Sequence, residues 1–186
     1  MAAASSRPGS SDFESLLASV RARSASCGAE RVRRALLERL AVEPRDRVLE
    51  LGFGSGRMLF AVAMRARQGF VAGVEPEEHA LRHASRRCER LVREGRVVLR
   101  CGTSLDLSGL GADRFDKVYG VHVTEFWEDP QPHLREIRRV LRPGGRLLLG
   151  YCAGVSCPGL EPGLAAAGFG EIRTEDTNGL AWTTAV

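Results

Sequence analysis

Five short apolar runs, most closed by glycine or an acid and separated by stretches of different periodicity, constrain what this chain can fold into. They are RVLEL (47–51), FVAGVE (70–75), RVVLRC (96–101), FDKVYGV (115–121) and RLLLGY (146–151). A strand apolar on consecutive positions needs cover on both faces, which is the condition of a parallel sheet. Cover is available between the runs. Helical periods span 58–67, 77–92 with Leu81, Ala84, Cys88 and Leu91 inward, and 132–141 with Leu134, Ile137 and Leu141 inward. The chain between Cys101 and Phe115 is too short and glycine-rich for more than a brief helix. Strand and helix alternate, so the expected class is α/β, a mostly parallel doubly wound sheet of Rossmann-like type. The end departs from this pattern. A small helix over 160–167 is followed by EIRTED (171–176), Asn178-Gly179 and LAWTTAV (180–186), and Asn-Gly between strand-like runs signals an antiparallel hairpin closing the sheet.

Residues 1–11 read as a flexible tail and 12–186 as one domain, with N-terminal helices over 12–44 and the Rossmann-like core over 45–186. Ser11 and Glu14 have capping-box spacing, and Phe13, Leu16, Leu17 and Val20 share one helical face. That face lacks an obvious partner, so the helix is a candidate lid as well as a candidate packing element. Val32, Leu36 and Leu40 line a second helix ending before Pro44. With 186 residues and 44% apolar side chains the chain can bury one core. Its apolar runs are shorter than the roughly 20 residues that span a bilayer, and MAAASSRPGS has no apolar leader core, so the expectation is a cytoplasmic protein without a membrane span.

The formal net charge is +4, but of 27 basic residues all except Lys117 are arginine, scattered among glutamates on outer helix faces. Solvated faces explain them better than a nucleic-acid partner does. Five cysteines, an odd number without a CxxC pair, suggest neither a zinc site nor a disulfide framework, and no metal is expected. Cys152 and Cys157 stand out as lying in a loop.

The chemistry concentrates in VLELGFGSGR (48–57), a buried strand running into Gly52, Gly54 and Gly56 before a helix begins. Such a turn brings backbone close to a ligand at a helix N-terminus, where N–H groups are unpaired. The dinucleotide fingerprint would need glycine where Arg57 stands, so NAD fits poorly. Glu50, two residues before the first glycine, suits a ligand ammonium, met directly or through water. Glu75 ends the next strand 19 residues after Gly56, where an acid can accept both hydroxyls of a ribose.

These elements resemble the class I S-adenosylmethionine-dependent methyltransferases, in particular their small-molecule branch. The resemblance covers roughly residues 30–186 and rests on VLELGFGSGR, GVEPEEHALRHASRR (73–87) and the run from FDKVYGVHVTEFWEDP to RVLRPGGRLLLG (115–150). It implies S-adenosylmethionine as cofactor, with Gly52, Phe53, Gly54 and Gly56 at its methionine part, Glu75 on the ribose, Pro76 near the adenine and Val121 lining the site. Relatives often place an aspartate after the third strand's glycine to receive the adenine amine. This chain has Gly102-Thr103-Ser104 there, so the Thr103 or Ser104 hydroxyls, or backbone groups, take that part.

Methyl transfer is an in-line displacement that needs alignment and dryness, and a base only where the acceptor must lose a proton. Residues after the fourth strand are the candidates: His122 as base or substrate positioner, Glu125, and the aromatics Tyr119, Phe126 and Trp127. Each has a structural alternative, a satisfied histidine, a surface acid or core packing. RVLRPGG reads as a helix stop. The expected function is methyl transfer to a small organic acceptor, with a non-catalytic cofactor-binding module or a nucleic-acid or protein methyltransferase as alternatives.

Overall fold

The computed structural model describes residues 28–124, 128–153, 157, 159–177 and 179–186. The chain runs α1 (Ala29–Leu40), β1 (Arg47–Leu51), α2 (Arg57–Arg65), β2 (Phe70–Glu75), α3 (Glu78–Arg93) and β3 (Val97–Cys101). A 3-10 turn over Ser108–Leu110 stands between β3 and β4 (Phe115–Val121). Then come α4 (Pro130–Val140), β5 (Leu141–Cys152), α5 (Leu160–Ala166), β6 (Arg173–Thr177) and β7 (Leu180–Ala185). The strands form one seven-stranded sheet in the order β3-β2-β1-β4-β5-β7-β6. The first five are parallel, and β7 pairs antiparallel with both β5 and β6, as the hairpin signal required. The helix expected over 12–27 and the residues Glu125, Phe126, Trp127 and Asn178 lie outside the described residues.

Burial explains the apolar runs. Val48, Leu49 and Leu51 of β1 and Val71, Ala72 and Val74 of β2 are all buried, under Val62 of α2 and Ala84, Cys88 and Leu91 of α3. Lys117 shows why one lysine stands among so many arginines. From β4 its ammonium donates to the carbonyl of Ala41, just past the end of α1, and to Asp46 before β1, each at 2.6 Å. A compact ammonium can serve two oxygens in so narrow a space, and it sits where the negative end of the α1 dipole favours a cation. Asp116 ties the same edge, accepting from the Arg47 N–H at 2.7 Å and from the Arg142 guanidinium at 2.5 Å.

Two expectations need correction. RVLRPGG ends α4 at Val140, but the strand begins immediately: Leu141 pairs with Phe115, the register then shifts, and Arg146 pairs with Lys117. Pro143 and the glycines are thus an irregularity inside β5, because a proline and a positive-φ glycine (Gly144, φ 71°) cannot continue the ladder but need not end it. Cys152, expected in a loop and outside any disulfide framework, is the last residue of β5 and is disulfide-bonded, whereas Cys88 and Cys101 are free. Among the described residues no helix is long and apolar enough to cross a membrane.

Candidate active site

Strand order reverses between β1 and β4, the sheet's outward windings diverge there, and a crevice opens at the carboxyl ends of these two strands. The sequence-derived candidates converge on that point. β1 delivers Glu50 and the glycine turn, β2 delivers Glu75, and β4 delivers Val121 and His122.

The turn is built for close approach. Gly52, Gly54 and Gly56 have φ of 64°, 50° and 72°, a region that side chains with a Cβ rarely enter. Gly54 has open space where a Cβ would stand, so its requirement is conformational, whereas a Cβ on Gly56 would lie 2.7 Å from that of Ala84 in α3. Glu75 fixes the turn from the neighbouring strand. One carboxylate oxygen accepts from the Gly54 N–H at 2.8 Å and the other from the Glu77 N–H at 3.1 Å. A carboxylate has about four acceptor positions. Held by two backbone donors, Glu75 is oriented and still able to receive two hydroxyls.

Glu50 is 5% exposed and accepts a 2.7 Å hydrogen bond from the hydroxyl of Tyr119, which is fully buried beside it in β4. Burial pushes its pKa up to about 8, with the Tyr119 hydroxyl opposing the rise and the nearby Glu75 adding to it. The site therefore holds a carboxyl whose ionised form no cation among the described residues balances, the condition in which a ligand cation is favoured.

His122 follows β4 directly with φ 58°, its N–H bonded to the Gly150 carbonyl at 2.8 Å. Its Nδ1 is buried without a hydrogen-bond partner among the described residues, and burial lowers its pKa below the usual 6.5. The ring borders a cavity of about 570 Å³ shared with Phe53, Arg57 and Met58 and walled by Val32 and Arg33 of α1. A volume of that size accommodates a small organic molecule. Ala29 and Glu30 of α1 line the same side of this cavity.

The remaining candidates divide. Pro76 is exposed at the rim, where the Cys101 thiol lies 3.6 Å from its carbonyl oxygen, and Thr103 is half-buried with its hydroxyl accepting from the Leu105 N–H at 3.3 Å. Ser104 is not at the cleft surface. It is fully buried with its hydroxyl 2.8 Å from Nδ1 of buried His133, so it joins the post-β3 loop to α4 and has no face for a ligand. Tyr119, expected at the sheet's carboxyl edge, lies inside it. The signal for its role is a cross-strand register, which no single strand's sequence displays.

A family model described as a methyltransferase domain matches residues 49–149, more than half of the chain. The O-methyltransferase rstn1 of Aspergillus nomiae is 30% identical over 120 residues, covering 64% of this chain and 52% of that protein. The chain spans between half and two thirds of the length of the first curated relatives it matches. Among solved structures, the [4+2]-cyclase SpnF aligns with a TM-score of 0.71 at 22% identity, covering 84% of this chain and 80% of that one. A SAM-dependent methyltransferase of Aquifex aeolicus aligns at 0.69 and 17%, covering 89% and 96%. At these identities the structures speak for the fold.

Proposed function

The chain belongs to the class I S-adenosylmethionine-dependent methyltransferase domain family, and from that premise we propose that it transfers a methyl group from S-adenosylmethionine to a hydroxyl group of a small organic acceptor. The residues present fit the cofactor. Gly54 leaves room for a close ligand, Glu50 offers a buried carboxyl to an ammonium, and Glu75 is oriented for ribose hydroxyls. When bound, the cofactor supplies an electrophilic methyl group on a sulfonium. The chain's own part is to align the acceptor, exclude water and take its proton.

The observation that carries the reading is His122: an imidazole, its Nδ1 without a partner among the described residues, that lines a cavity shared with the glycine turn. Because burial lowers its pKa, the ring is neutral at physiological pH and able to accept the hydroxyl proton as oxygen attacks. An O-linked acceptor also agrees with the relative from Aspergillus nomiae. Fold alone would not separate methyl transfer from other chemistry, since a cyclase shares it. The test is transfer of label from methyl-labelled S-adenosylmethionine to a panel of small phenols and alcohols. Labelled ether products support the reading. Bound cofactor with no transfer to any member would favour a non-catalytic binding module.

A further inference from the structure

Glu50 of β1 and Tyr119 of β4 are direct partners in the parallel register, so their side chains stand on the same face of the sheet. Among the described residues Tyr119 supplies the one hydrogen bond made by the Glu50 carboxyl, and it goes to a single oxygen, Oε2. The groups that act electrostatically in this pocket come from three elements: Tyr119 of β4, Glu75 at the end of β2, and Cys88 of α3, on which the exposed Arg87 of the same helix also acts. None of the groups acting on Glu50 is a cation. A carboxylate more than nine-tenths buried, with a neutral donor on one oxygen and an acid nearby, lacks the counter-charge that normally accompanies such burial.

We propose that Tyr119 is a positioning residue for the cofactor: its phenolic O–H occupies one oxygen of Glu50, favours the ionised carboxyl, and leaves the other oxygen to meet the ligand's ammonium group. The inference rests on the cofactor reading given above. Binding then exchanges one cation for another. The Glu50 proton leaves to solvent as the ligand's ammonium takes its place, so charge in the pocket balances. Tyr119 lowers the cost of that exchange because a hydrogen bond to the charged form favours ionisation. Phenylalanine at this position would keep the packing and lose only the donor.

The experiment is calorimetric binding of S-adenosylhomocysteine to the wild-type chain and to Tyr119→Phe at pH 6.5 and at pH 9.5. The ligand's amine titrates over the same range, but it cancels in the ratio of the two dissociation constants. At pH 6.5 the ratio should be about tenfold, because ionising Glu50 without its donor is harder. At pH 9.5, where Glu50 is ionised in both proteins, it should shrink to within about twofold. A ratio that is the same at both pH values, whether one or ten, overturns the proposal and leaves the cofactor reading intact. No binding by the wild-type chain at either pH overturns the cofactor reading with it. Should Tyr119→Phe not fold, the wild-type chain is titrated with S-adenosylhomocysteine at pH 6.5 in buffers of different ionisation enthalpy. Release of about one proton per site that is absent from Glu50→Gln supports the exchange at Glu50, and no such difference refutes it.

Discussion

Replacing Glu50 by glutamine should make the ligand-free protein more stable, increasingly so as pH rises. Burial holds this carboxyl near 8 instead of the ordinary 4.5. A carboxyl with a raised pKa contributes its stability fully below the unfolded-state value and loses it as pH climbs through the folded-state value. At about 1.4 kcal/mol per pH unit the wild-type chain forfeits roughly 4–5 kcal/mol between pH 4.5 and pH 8, and an uncharged amide forfeits none of it. Glutamine also keeps an oxygen for the Tyr119 hydroxyl. For a domain of this size 1 kcal/mol moves the melting midpoint by about 2–4 °C, so Glu50→Gln should melt on the order of 10 °C above wild type at pH 8 and close to it at pH 4.5. Thermal melts of both proteins across that range, without ligand, measure the difference directly, because every other group titrates alike in the two. A gap that does not change with pH would refute the reasoning. Weaker S-adenosylmethionine binding by the more stable variant would mark Glu50 as stability given up for function.

Gly56→Ala combines a φ of 72° with a Cβ 2.7 Å from Ala84, and should cost about 2–4 kcal/mol in denaturant melts. Adding Ala84→Gly should recover the packing part and leave the backbone part. His122→Asn preserves a residue that tolerates the left-handed region and removes the base. In steady-state assays kcat should fall about 10²–10⁴-fold with cofactor affinity unchanged. The wild-type acid limb of kcat/KM should lie below pH 6.5, since His122 is lowered by burial, and should vanish in the variant. Lys117→Met leaves Asp46 without its ammonium, in a pair only 13% and 10% exposed, and should destabilise by roughly 3 kcal/mol in urea melts.

What the sequence made legible follows from how local each signal is. The inner parallel strands are visible because burial on both faces leaves consecutive apolar residues, the edge strand β3 because its run is apolar even though Val98 stands exposed, and the glycine turn because positive φ has few other occupants. Glu75 declares itself by ending β2, and His122 by following β4. Ser104 misled because a hydroxyl beside Gly102 says nothing of depth, and only packing against α4 shows that His133 takes it. Tyr119 was obscured for a related reason: in a sheet covered on both faces nothing in β4 marks which side a residue takes, so its alignment with Glu50 emerges only from the register. The Pro143-Gly144-Gly145 stretch shows helix termination in sequence, while its place inside β5 depends on pairing with β4.

The claim at the centre of this account is that the crevice between β1 and β4 holds an adenosyl-sulfur ligand. Titration calorimetry of the wild-type chain with S-adenosylmethionine, S-adenosylhomocysteine and NAD at neutral pH tests it most directly. The account predicts one site for each of the first two and none for NAD, which finds Arg57 where its fingerprint needs glycine. Binding of NAD in place of the sulfur compounds, or of none of the three, would contradict it.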